Sequence, residues 1–193
     1  MASTRSRMMP LGSAAPDFTL PDPDGNEHML KSIADGKRGL LVAFICNHCP
    51  YVQHIRHELA RLAGGWQQHG IAVVGINAND IDAYPGDGPE AMALEARSVG
   101  YTFPYLFDAT QETAKVYQAA CTPDFFLFDR DLRLVYRGQF DDSRPRNDVP
   151  VTGRDLSAAI DALLEGRPVN DDQVPSIGCN IKWRPGNEPT YDT

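Results

Sequence analysis

The chain has 193 residues, 42% hydrophobic and 23% charged, which fits one compact domain and excludes the disordered and fibrous classes. Its 18 Lys and Arg against 26 Asp and Glu leave a formal charge of -8, which repels phosphate backbones and anionic lipid and excludes nucleic acid as an expected partner. Four cysteines are too few to scaffold a chain of this length, and paired cysteines in a reducing compartment more often do redox or metal chemistry.

The first stretch, MASTRSRMMPLGSAAPD, has basic residues but no apolar run of signal-peptide length, and no later segment approaches a membrane span. A cytoplasmic protein without membrane attachment is expected. From residue 15, APDFTLPDPDGNEHML reads as two strand-like pieces about a Pro-Asp-Gly turn, an N-terminal β-hairpin. GLLVAFIC, residues 39–46, is too continuously apolar for a half-exposed strand and is predicted to be covered on both faces. Cys46 and Cys49 stand where that strand ends. Val52, Ile55, Leu59, Leu62, Ala63 and Trp66 then recur at helical spacing, predicting an amphipathic helix over 50–68. IAVVGIN, residues 71–77, completes a β-α-β unit whose cysteines lie at the carboxyl edge of its first strand, where open α/β sheets carry their chemistry.

Residues 78–90 are rich in Gly, Pro and Asp and read as a loop, with Pro89 opening a helix to about residue 99. Short strands are expected at Pro104, Phe125 and Arg133, with a helix near 112–119 and the last two strands forming a hairpin around DRDL. Thr152 and Asp155 have capping-box spacing before a last amphipathic helix. Residues 11–166 are thus read as the domain, and 167–193, polar and Pro-rich, as a surface tail ordered around 177–183.

A C-x-x-C pair at a helix start favours thiolate, because the helix N-terminus carries about half a positive charge and unpaired N–H groups. The two sulfurs are near enough to close a disulfide. His48, just before the second cysteine, is expected to stabilise the thiolate and make the couple more oxidising. A structural zinc half-site would need a second ligand pair, and Cys121 and Cys179 stand apart, so no metal and no cofactor is expected. In CTPDFFLFD, residues 121–129, Thr122-Pro123 precedes a buried strand and is read as a cis proline whose loop leaves backbone groups free for an extended substrate. Thr122 and Asn47 are the substrate-binding candidates.

The strand-cysteine-helix unit, the later Thr-Pro and the closing hairpin and helix resemble a thioredoxin fold. The leader APDFTLPDPDG, with GKRGLLVAF, CNHCPYV, TPDFFLFD, YRG and GCNIKW, resembles more closely the peroxiredoxin-like branch of the alkyl hydroperoxide reductase and thiol-specific antioxidant superfamily, over residues 11–183. The resemblance implies a three-layer α/β fold with a mixed central sheet, an N-terminal hairpin extension and a C-terminal tail, and thiol redox chemistry at Cys46, Cys49, His48 and Pro123.

Two orders of attack stay open. Peroxiredoxins place the attacking cysteine directly before a proline in Pro-x-x-x-Thr-x-x-Cys, which makes Cys49 peroxidatic and Cys46 resolving; here Val42 stands for the Pro and Cys46 for the Thr. Thioredoxins attack with the first cysteine. Pro50 disfavours helical backbone at Cys49, so the helix is expected to start at Pro50 with Cys49 as its cap and Cys46 upstream and more exposed. The favoured reading is a thiol-disulfide oxidoreductase with Cys46 as nucleophile and Cys49 resolving, acting on a protein or low-molecular-weight disulfide and recharged by a thiol reductant. The alternatives are a thiol peroxidase acting on hydroperoxides and a Cu(I)-binding chaperone using the pair and His48. Cys121 is either a third redox thiol or a small apolar residue, Cys179 a resolving partner or an unreactive thiol, and Arg137 a positive charge for the site or a solvated side chain.

Overall fold

The apolar run that begins at Gly39 is buried along its whole length because covering elements meet it on both sides. In the structure, a computed structural model that describes residues 3–192, it is strand β4 (Gly39–Phe44). Before it come β1 (Ser3–Arg5), β2 (Thr19–Pro21), β3 (Glu27–Met29) and the short helix α1 (Leu30–Ala34). After it come α2 (Pro50–Gln68), β5 (Ile71–Asn77), α3 (Pro89–Val99), β6 (Tyr105–Phe107) and α4 (Glu112–Val116). The chain ends with β7 (Cys121–Thr122), β8 (Asp124–Asp129), β9 (Leu134–Gly138), α5 (Arg154–Leu164) and β10 (Ile177–Asn180). The central sheet runs β6-β5-β4-β8-β9. β4, β5 and β6 are parallel, whereas β8 lies antiparallel to β4 and β9 to β8, giving the mixed thioredoxin-like sheet.

Side chains alternate across a strand, and β4 feeds two cores. Leu41, Ala43 and the following Ile45 pack with Val52, Ile55 and Leu59 of α2 and Leu156 and Ile160 of α5. Leu40, Val42 and Phe44 pack with Phe18, Leu20 and Leu30 from the β2–β3 hairpin and α1, and with Tyr117 beyond α4. This is the expected three-layer arrangement. No described helix is long and apolar enough to cross a membrane.

The chain ends behave differently from the sequence expectation. The tail is not merely draped: β10 lies between β1 and β7 in an antiparallel three-stranded sheet, with Cys179 opposite both Ser3 and Thr122. The last helix is capped by Gly153, at φ 63, instead of by Thr152. The Thr152 and Gly153 amides both donate to Asp141 Oδ2 at 2.7 Å, so Asp141 anchors the turn. A Cβ at 153 would lie 2.5 Å from Leu62 and 2.7 Å from Phe140, so the close approach and the left-handed φ both require glycine.

Candidate active site

Proline opens α2 because the first helical N–H has no partner to lose, and Cys49 before it adopts the extended cap conformation, φ -70 and ψ 120. Cys46 follows the end of β4. Both sulfurs converge on Thr122: the Cys49 thiol donates to its carbonyl at 3.1 Å, and Cys46 Sγ lies 3.3 Å from its hydroxyl. The Thr122-Pro123 bond is cis. All four cysteines are free and buried. Cys46 is 1% exposed and Cys49 0%, so Cys46 is not the more accessible thiol. β10 pairs with β7 and fills the edge on which an extended substrate was expected to dock.

The two thiols titrate as a coupled pair. The Cys46 S–H, then those of Cys179 and the Thr122 hydroxyl together with the Val52 N–H, act on Cys49 and outweigh its burial, bringing it down to about 5. No close capping bond forms, but the Val52 amide in the first turn still favours charge on the sulfur. Cys46 goes the other way: its hydrogen bond to Cys49, its burial and the Asp87 charge push it well above the usual thiol range.

Asp87 is the site residue that sequence reasoning missed. It is 0% exposed, and its Oδ1 accepts the Asn47 and His48 amides at 2.9 and 3.2 Å. Its Oδ2 accepts Asn79 Nδ2 at 2.8 Å and lies 2.5 Å from His48 Nδ1. Burial raises this carboxyl, but the bonds from His48 and Asn79 outweigh that and hold it below the ordinary carboxylate value. The signal was topological: the loop after β5 must return beside the cysteines, because β5 is the parallel neighbour of β4. The His48 ring is fixed between Asp87 and Tyr84, on which it stacks with centroids 5.0 Å apart. The nearby charge that acts on Cys46 is therefore a carboxylate. Ligand atoms of Cys46, His48 and Asp87 lie within 4.8 Å of one another. The four N–H groups around the Asp87 carboxylate occupy its lone-pair sites, which fits a hydrogen-bond anchor better than a metal ligand.

The other candidates fall in different places. Asn47 has both ends of its side chain engaged, Nδ2 with the Gly86 carbonyl at 2.9 Å and Oδ1 with the Tyr105 hydroxyl at 3.0 Å. Thr122 is at the pair. Cys121 is 0% exposed, donates to the Pro123 carbonyl at 3.5 Å and is pushed well up by burial. Arg137 is bonded to Gln173 Oε1 at 2.7 Å. Cys179 is drawn to Cys49.

A buried dithiol at the carboxyl edge of a mixed five-stranded sheet, facing a cis-proline loop, defines a thioredoxin-like thiol redox protein. The AhpC/TSA family model matches residues 11–137, and the chain belongs to that family. Its structure is similar to the crystal structure of an uncharacterized conserved protein from Geobacillus kaustophilus, with 55% identity and a TM-score of 0.93 over 96% of this chain and 98% of that one. It is 25% identical over 128 residues to the thiol-disulfide oxidoreductase ResA of Geobacillus thermodenitrificans, covering 66% of this chain and 68% of the relative. It is also 30% identical over 118 residues to a Mycobacterium tuberculosis protein that carries a peroxiredoxin name, covering 60% and 68%.

Proposed function

We propose that the protein is a thiol-disulfide oxidoreductase in which Cys49 is the attacking thiolate and Cys46 the resolving thiol. The observation that carries this order is the division of neighbours: Cys49 caps the start of α2, where the Cys46 and Cys179 thiols and the Val52 amide outweigh its burial, while Cys46 faces the Asp87 carboxylate. The order reverses the one expected from exposure alone. Cys49 attacks one sulfur of a disulfide, forming a mixed disulfide and releasing the first thiolate. Once Cys49 is uncharged, Cys46 gives up its proton and attacks the Cys49 sulfur, releasing the second thiol and leaving a Cys46–Cys49 disulfide. His48, whose Nδ1 bonds Asp87 and whose buried Nε2 has no partner among the described residues, is the group left beside Cys46 to take that proton. A thiol reductant then returns the pair to its starting state.

The substrate class best supported is a low-molecular-weight disulfide. β10 already fills the β7 edge that a protein strand would use, while a cleft of about 230 Å³ opens between Pro50, Tyr51, Arg144, Pro145, Arg146 and Cys179. The relative named as a thiol-disulfide oxidoreductase supports the same chemistry. A thiol peroxidase is the second reading, favoured by an acidic thiolate directly before Pro50 and by burial that admits small reactants. Stoichiometric reaction of reduced Cys46→Ser separates the two. The expected result is rapid mixed-disulfide formation on Cys49 with an aromatic disulfide and slow reaction with hydrogen peroxide. A faster peroxide reaction that leaves a sulfenic acid on Cys49 would reverse the preference.

A further inference from the structure

Cys179 is a buried thiol that the two-cysteine cycle does not use, and its backbone is locked against the reacting atoms. The β10–β7 register sets Cys179 opposite Thr122, the residue whose carbonyl and hydroxyl hold Cys49 at 3.1 Å and Cys46 at 3.3 Å. At the preceding Gly178 an added Cβ would lie 1.9 Å from the Thr122 carbonyl oxygen. Only glycine lets β10 close on Thr122 to this distance. Cys46, Cys49 and Cys179 consequently share one buried cluster, and Cys179 also lines the cleft beside Pro50 and Tyr51. The sheet thus carries a cysteine where a docked substrate strand would present its own sulfur.

We propose that Cys179 is a third redox thiol, which attacks the Cys49 sulfur and moves the disulfide from Cys46–Cys49 to Cys49–Cys179, where a small acidic thiol entering the cleft reduces it. This rests on the oxidoreductase reading above. In the first step the Cys179 thiolate, its proton lost to solvent, forms a bond to Cys49 Sγ as the Cys46–Cys49 bond breaks. Cys46 leaves as thiolate and takes up a proton, so one disulfide replaces another with no net oxidation. In the second step an external thiol attacks the Cys179 sulfur and Cys49 leaves in the charged form its surroundings favour. A second external thiol then releases Cys179, so two thiols become one disulfide and the enzyme gains two electrons.

The relay solves a problem of access. Cys179, 3% exposed, lines the cleft, whereas Cys46 and Cys49 do not, so a reductant in the cleft meets the third thiol first. Burial, then the hydrogen bond and charge of Cys49, push Cys179 up to about 12 in the reduced protein. The last two vanish when Cys49 enters a disulfide, so the third thiol ionises more easily in the oxidised enzyme than in the reduced one. The acidic character of the reductant follows from the cleft wall. Arg144 and Arg146 line it in a chain of net charge -8, and Arg146 is exposed and makes no hydrogen bond or ion pair among the described residues.

The test uses the full chain, reduced and treated with one equivalent of a carboxylate-bearing aromatic disulfide, then alkylated and peptide-mapped. Wild type should release about two equivalents of aromatic thiol and yield peptides linked by Cys46–Cys49 and by Cys49–Cys179. Cys46→Ser should still release about two and yield the Cys49–Cys179 peptide, while Cys46→Ser with Cys179→Ser should stop at about one with the reagent held on Cys49. Gly178→Ala in the Cys46→Ser background should slow the second release. Retention of the reagent by Cys46→Ser, with Cys179 still a thiol and wild type closing Cys46–Cys49, would overturn the third thiol and leave the oxidoreductase reading standing. A wild type that leaves Cys49 unmodified would remove both. If Cys46→Ser does not fold, the wild-type map decides: a Cys49–Cys179 peptide that disappears in Cys179→Ser supports the relay, and its absence overturns it.

Discussion

On the β5 side of the dithiol, Cys46 looks onto a loop whose buried polar groups converge on Asp87, a carboxylate held by four N–H groups. On the β7 side, Cys49 looks onto a helix start, the Thr122 segment and the Cys179 thiol, and the thiol, hydroxyl and N–H donors there outweigh burial, although the Thr122 carbonyl at 3.1 Å accepts from the uncharged thiol. A second buried carboxyl lies on this side. Asp124 follows Pro123, is 0% exposed, and has one oxygen without a partner. Burial raises it to about 7. The same residue types thus take opposite ionisation on the two sides: burial of Asp124 outweighs the pull of the Ser6 hydroxyl and the Ala120, Phe125 and Cys121 amides, whereas at Asp87 the bonds from His48 and Asn79 outweigh burial.

The largest effect should come from the side that holds the thiolate. Cys49→Ser should lower disulfide reduction at least about a thousandfold, while Cys46→Ser keeps the first chemical step and turns over through Cys179 alone. Single-turnover and steady-state assays on both variants check this, and equal loss of the first step in both would erase the distinction between the sides.

The two carboxyls give the next tests. Because Asp124 is raised to about 7 against an ordinary 3.8, the folded protein holds a proton that the unfolded chain releases. Stability should therefore fall as pH rises from about 4 to 7, by up to about 4 kcal/mol. Asp124→Asn should remove that slope and melt higher than wild type at pH about 8; unfolding curves at both ends of the range measure it. Asp87 has the opposite sign. Its depressed value contributes stability that is present above 3.8 and lost as pH falls through the folded value. Asp87→Asn should flatten this acid limb and lower the Cys46 pKa, raising its alkylation rate near neutral pH by about tenfold. Alkylation followed by peptide mass analysis reads the rate, and an unchanged rate would mean that the carboxylate does not govern Cys46.

The smallest effect is expected away from both sides. Arg137 donates from Nη1 to Gln173 Oε1 and makes no hydrogen bond to the dithiol among the described residues, so Arg137→Ala should leave the first step within about twofold of wild type. A larger loss in the same assay would bring Arg137 back to the site.

Much of the frame was legible because it follows from short-range pattern. The helix at Pro50–Gln68 has its apolar spacing and a proline at its first position, and the strands Gly39–Phe44 and Ile71–Asn77 are unbroken apolar runs. The cysteine pair and the Thr122-Pro123 step were readable for the same reason. What escaped depends on partners distant in the chain. Asp87 looked like one more polar residue in a Gly-Pro loop, since its donors come from positions 47, 48 and 79. β10 has only four residues, and its burial comes from pairing with Ser3–Arg5 and Cys121–Thr122 at the far ends of sequence separation. Exposure of Cys46 was misjudged for the same kind of reason: helix geometry alone placed it outside, whereas Thr122 and Asp87, both distant in the chain, lie against it.

The central claim is that, at neutral pH, the charge of the pair resides on Cys49. Alkylation of reduced wild type by a small neutral reagent, followed site by site by mass analysis across the pH range, tests it most directly. Cys49 should be modified first, with its rate half-maximal near pH about 5 and level above about 6. Preferential modification of Cys46 at neutral pH, with Cys49 unreactive until the ordinary thiol range near 9, would contradict the account.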